Sequence, residues 1–164
     1  MGDVWVQGDN PDSWSEHGPR DNVDLKASRV RHAPRKVVTT AWFTDLVRTT
    51  DKTVSVFWLR TSAGRTFRVQ QATGPGIRAG QVVFLEYVDG RIVDRTCQGM
   101  TREVSYADNL MRVTLPRPCL GRPAWVRYHG SATALTEGPG ETYTDAMRSA
   151  DPVNDLYSRR IPRG

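Results

Sequence analysis

No stretch of this 164-residue chain is apolar enough for long enough to cross a bilayer as a helix. Lysine is scarce too: Lys26, Lys36 and Lys52 are the only three, so the net charge of +5 rests almost wholly on arginine. Such a bias accompanies a GC-rich genome and is not by itself a functional signal. Basic charge permits contact with nucleic acid, anionic cell-wall polymer or anionic lipid, and selects none of them. Catalytic signatures are missing as well. There is no Gly-x-Ser-x-Gly elbow, no His-Glu-x-x-His and no glycine-rich phosphate loop. Neither Cys-x-x-Cys nor His-x-x-x-His spacing occurs, so zinc is not expected. Spacing alone does not mark a carboxylate pair for glycoside hydrolysis.

Cysteine is limited to Cys97 and Cys119. A chain of this length buries a sizeable core without covalent help, so the pair supports the fold rather than replacing a core. Cys119 is hemmed by Pro118 and Leu120, and a catalytic thiol needs a histidine base beside it. A single structural disulfide, Cys97–Cys119, is the expectation, worth about 3 kcal/mol on the chain-entropy model. It implies an oxidising compartment. Two reduced buried thiols in a cytosolic protein are the alternative. The Met-Gly-Asp opening reads as a start placed behind a removed leader, which makes the protein secreted.

What the chain has in plenty is turn formers, 14 glycines and 10 prolines. Between them lie short β-branched and aromatic runs. The runs GDVWVQ (2–7), VDLKASRVRH (23–32, with a bulge near Ala27–Ser28), KVVTTAWFTDL (36–46), KTVSVFWLRT (52–61) and RTFRVQQ (65–71) read as strands. So do QVVFLEYV (81–88), RIVD (91–94), TREVSY (101–106), LMRVTL (110–115) and the run from Pro123 to His129. Asp89-Gly90 is the clearest hairpin turn, because Asp-Gly readily supplies the two positive φ angles of type I′. Pro116 and Pro118 end a strand, since neither donates to a ladder. Residues 8–20 and 131–140 read as loop, and Glu141–Ala150 as a short helical turn near the C-terminus. About nine strands at this spacing predict an all-β, antiparallel sandwich of jelly-roll type over residues 1–150. An extended or frayed tail, 151–164, follows.

Three sets of residues are candidate sites. Asp3, Asp21, Asp24 and Asp145, with Asp9, Asp12, Glu141 and Asp151 around them, suit calcium, which takes six to eight oxygen ligands from loops. The same residues serve as helix caps, turn formers and surface charges. Arg29 and Arg31 share a strand face in a basic cluster with His32, Arg35 and Lys36. They suit phosphate or anionic polysaccharide, or else a solvated face that protects an edge strand. Of five tryptophans, Trp14 lies in a polar stretch and suits stacking on a sugar ring or plugging one end of the sandwich. Trp42 and Trp58 sit in dense apolar runs and are expected in the core. The remaining histidines, His17 and His129, have no recognisable triad around them.

Several motifs together carry a resemblance. They are Gly2-Asp3-Val4, Asp24-Leu25, Arg29-Val30-Arg31-His32, Arg35-Lys36-Val37-Val38 and Thr44-Asp45-Leu46. They continue with Val113 to Pro123 (VTLPRPCLGRP), Trp125-Val126-Arg127 and Thr144-Asp145-Ala146. Over most of its length the chain resembles a group of secreted β-sandwich proteins of GC-rich Gram-positive bacteria. Pro-x-x-Cys-Leu-Gly is the most specific of these motifs. Those proteins are similar in turn to family-nine carbohydrate-binding and DOMON-like jelly-roll modules, some of which carry calcium, sugar or haem. Haem is not expected here, since neither Met100 nor Met111 pairs with a histidine, and no nucleotide is expected either. The reading is a secreted, monomeric, non-catalytic binding module for polysaccharide or anionic cell-wall polymer, with nucleic acid disfavoured. A small secreted hydrolase with a loop-borne site is one alternative. A structural or partner-binding domain of an envelope or phage assembly is another.

Overall fold

A computed structural model describes residues 4–7, 14–18, 20–135, 142–147 and 156–164. Thirteen strands follow in chain order. They are β1 (Trp5–Gln7), β2 (Trp14–Glu16), β3 (Leu25–His32), β4 (Lys36–Phe43), β5 (Lys52–Thr61), β6 (Thr66–Thr73) and β7 (Gln81–Val88). Then come β8 (Arg91–Asp94), β9 (Thr101–Ser105), β10 (Leu110–Pro116), β11 (Trp125–Leu135), β12 (Thr142–Ala146) and β13 (Ile161–Pro162). All pair antiparallel, in two sheets. The large one runs β2-β1-β12-β11-β5-β6-β7-β8, with β13 added beside β11; the small one runs β3-β4-β10-β9. The chain crosses between sheets after β2, β4, β8 and β10.

Alternation of side chains makes this a sandwich. In β4, Val37, Thr39, Ala41 and Phe43 point inward and are buried. Met111, Val113 and Leu115 of β10 stand opposite Ala41, Thr39 and Val37 on that same face. From the large sheet, Phe57, Leu59, Phe67, Val69, Val126 and Tyr128 meet them in one core. Each fully buried Phe or Leu of that core stabilises the fold by about 1.5–3 kcal/mol. Tyr128 also reaches across, its hydroxyl donating to the Ser28 carbonyl of β3 at 3.1 Å. The expected type I′ hairpin joins β7 to β8, with φ of 50° at Asp89 and 75° at Gly90. A register shift between Leu25 and Ala27 places the bulge of β3.

Cys97 and Cys119 are disulfide-bonded, with Cα atoms 5.6 Å apart. Cys119 lies in a 3-10 turn, Arg117–Leu120, that closes on Gly121 in the left-handed region at φ 75°. No helix among the described residues is long and apolar enough to cross a membrane.

Several expectations are corrected. Trp42 and Trp58 lie outside the main core: each is half-buried on an outer face, opposite in phase to Phe43 and Phe57, and Trp58 packs there against a second, smaller cluster of Val54, Val56 and Ala72. Trp14 belongs to the edge strand β2, paired with Gln7, rather than to a loop. Ser131–Leu135 extends β11 along β5, and Thr142–Ala146 is a strand rather than a helical turn. The small residues of Ser-Ala-Thr-Ala carry no apolar alternation, yet they fit beneath the facing sheet and are recruited by the ladder. The C-terminal residues are extended and fastened: Ser158 N–H donates to Tyr128 O, Arg163 N–H to Ala124 O and Gly164 N–H to His32 O.

Candidate cation-lined trough

The outer face of the small sheet carries a trough of about 400 Å³. Its central strand, β4, presents Lys36, Val38, Thr40 and Trp42 outward, and two of these are short. On one side β3 presents Arg29 and Arg31, two residues apart and so about 7 Å from each other along the strand. On the other side β10 presents Arg112 and Thr114, and β9 presents Glu103. Register fixes the cross-section: Arg29 pairs with Thr40, Thr40 with Arg112, and Arg112 with Glu103. Arg29 and Arg112 therefore flank Thr40 at two strand spacings, about 9.5 Å. Long side chains on the flanks and short ones in the middle give the concavity, and they leave Thr40 only 5% exposed.

Four cations stand here against one carboxylate. Arg112 is the compensated one: Nη1 lies 2.8 Å from Glu103 Oε2, and Nε donates to Thr40 Oγ1 at 3.4 Å. Among the described residues, no carboxylate lies within 4 Å of Arg29, Arg31 or Lys36. Arginine forks take the two oxygens of a carboxylate or phosphate together. The Thr40 and Thr114 hydroxyls add neutral hydrogen-bonding groups, and Trp42 gives one aromatic surface.

The structure thus brings Arg29, Arg31 and Lys36 of the expected basic cluster together on one face and adds Trp42, Arg112 and Glu103. His32 leaves the expected basic cluster. It faces the interior, 3% exposed, with Nδ1 3.3 Å from Ile161 O and Nε2 buried without a partner. Burial lowers its pKa from 6.5, and the charges of Arg117 and Arg163 lower it further, against the opposing effect of the Ile161 hydrogen bond.

The proposed calcium ligands are scattered in role. Asp145 is 2% exposed, and its Oδ2 accepts the Leu25 N–H at 2.7 Å. Asp24 is half-buried, with its backbone oxygen bonded to Thr44 N–H, and Asp21 is exposed. Asp3 lies outside the described residues, as do Asp9, Asp12, Glu141 and Asp151. Among the described residues no group of three or more His, Cys, Asp or Glu is placed to share an ion. His17 packs edge-on to Tyr143 at 4.8 Å, and His129 lies parallel to Trp58 at 5.8 Å.

Arg112 and Glu103 were not legible as site residues from sequence, because the β4–β10 register that carries them to Arg29 spans about 70 positions. The alternation in Lys36-Val38-Thr40-Trp42 was the available signal for the floor. No protein-family model, curated protein or solved structure matches this chain, so the chemistry of the trough itself carries the functional reading.

Proposed function

We propose that the protein is a secreted, non-catalytic module that holds an anionic polysaccharide or cell-wall polymer in the small-sheet trough. One observation carries the reading: Arg29, Arg31 and Lys36 line one concave face with, among the described residues, no carboxylate within 4 Å of any of them, while the trough's Glu103 is taken by Arg112. Repeating anions on the polymer take up the arginine forks, hydroxyls meet Thr40, Thr114 and Glu103, and a sugar ring packs on Trp42. A phosphodiester polymer and a uronic-acid polymer share this chemistry, and both are anions on a hydroxylated chain. The disulfide suits the oxidising exterior where such polymers are found.

Calorimetric titration tests the proposal with three polymers: polygalacturonate, its fully methyl-esterified neutral form, and poly(glycerol phosphate). The charged polymers should bind, more weakly as salt is raised, and the esterified one should not. Relative affinity for polygalacturonate and poly(glycerol phosphate) identifies the source of the anion. Equal binding of the neutral form would sink the proposal, as would tighter binding of single-stranded DNA than of either charged polymer.

A further inference from the structure

The chain balances its arginines where they are needed for the fold. Arg65 and Arg95 both grip the buried Glu86, at 2.6 and 2.8 Å, and Arg20 meets Asp51 at 3.5 Å. One corner of the sandwich is left uncompensated. There Arg117, Arg122 and Arg163 surround a cavity of about 300 Å³, together with Ala124 and Pro162. Among the described residues none of the three has a carboxylate within 4 Å.

These arginines come from two pieces of backbone, the 3-10 turn with the residue after its Gly121 cap and the C-terminal end just after β13, each fixed in place. The Arg117 side chain donates to the carbonyls of Pro34, Arg122 and Pro123, so its charge is held by neutral acceptors. Arg122 follows the 3-10 turn in the left-handed region at φ 52°. Arg163 is held by its own N–H on Ala124 O. The field of this corner is felt behind it: Arg117 and Arg163 both disfavour a proton on His32, in addition to its burial.

The corner adjoins the trough. Pro116 pairs with Lys36 in the β10–β4 ladder, and the next residue's N–H, that of Arg117, donates to Arg35 O at 2.9 Å. Among the described residues, the side chains that line trough and corner comprise seven cations and one carboxylate, Glu103. A small anion is served by either site alone. Two sites side by side add their strengths only for a molecule that reaches both, because the second contact is then intramolecular.

Resting on the trough as an anionic-polymer site, we propose that the binding track turns the end of the sandwich at Lys36 and continues onto Arg117, Arg122 and Arg163. Its ligand is a chain long enough to occupy both.

Length-defined oligogalacturonates test this with the full chain. The variant is Arg122→Asn with Arg163→Gln. Asparagine accepts the left-handed backbone at position 122, and no side-chain bond of either arginine is lost among the described residues. Wild-type affinity should climb with oligomer length, then level off once the chain spans both sites. In the variant, short oligomers should bind as before, while long ones fall by tenfold or more to the short-oligomer value. The salt slope for long oligomers should drop by about 1.4, two contacts at about 0.7 each. An unchanged thermal midpoint confirms that the variant folds. Wild-type affinity independent of length, or a variant that binds long oligomers as tightly as the wild type, overturns the extended track and leaves the trough standing. Equal weakening of short and long oligomers also overturns it. No binding of any length by the wild type overturns the trough itself, and the extension with it.

Discussion

The two outer faces of this sandwich use arginine and tryptophan in opposite ways. On the large sheet, Trp58 sits 4.9 Å from Tyr87 and parallel to His129, and Tyr157 stands edge-on to His129 at 4.4 Å. Arginines cap that cluster: Arg68 over Trp58 at 5.4 Å, Arg127 over Tyr157 at 5.8 Å, Arg160 over Trp125 at 4.7 Å. There cation and ring satisfy each other. On the small sheet, Trp42 has Arg29, Arg31 and Lys36 around the same trough, and among the described residues none of these cations lies over a ring or beside a carboxylate. Arginine and tryptophan thus yield a self-satisfied face on one sheet and an unsatisfied one on the other. The difference marks where the protein is built to hold itself and where it is built to hold something else.

Variants can break that contrast. The largest effect is expected from Trp58→Ala, which should cost about 3 kcal/mol in a urea titration, at the low end for a truncated tryptophan. Polygalacturonate affinity, measured well below the unfolding transition, should not move; loss of binding there would place function on the wrong sheet. Next comes Arg29→Ala with Arg31→Ala. Two charged hydrogen bonds at about 1.5 kcal/mol each correspond to about a hundredfold in affinity, with the thermal midpoint unmoved. A smaller gain should follow from Glu103→Gln. It frees Arg112 and removes the one opposing charge, raising affinity about threefold in low salt and less as salt is added.

The smallest effect is a pH dependence, and it lies beneath the trough. His32 has a lowered folded pKa, so its contribution is whole above the unfolded value of 6.5 and is lost as pH falls through the lowered value. The urea midpoint should therefore fall between pH 7.5 and 5.5 in the wild type and change less in His32→Asn. Glu86 acts in a separate window. Its hydrogen bond to Arg65 leads in lowering its pKa, and Arg95 adds to this. Its contribution is present above about 4.5 and disappears only in stronger acid.

Sequence reasoning reached the sandwich because β4 to β7 and the Asp89-Gly90 hairpin carry their own periodicity and turn chemistry. It reached Arg29 and Arg31 for the same reason, since a strand's two-residue period is local. It put Trp42 and Trp58 in the core because their strands carry apolar residues on both faces, which leaves open which face the other sheet covers. Thr142–Ala146 was unreadable as a strand: five residues after a Gly-Pro-Gly stretch gain their extended form only from β1 and β11 on either side. The corner arginines come together through the tail's docking on β11, a contact between positions about 40 residues apart that no local pattern announces.

The disulfide has a topological consequence. Cys97 lies in the crossover from β8 to β9 and Cys119 in the crossover from β10 to β11, so the β9–β10 hairpin is a closed covalent ring. The tip of that hairpin is exposed at Ala107 and Asp108. A protease that cuts there makes two polypeptides but still one molecule, a single band until reductant is added. Glu103 and Arg112 lie on opposite sides of that cut, so the wall of the trough outlasts the break in the chain that built it.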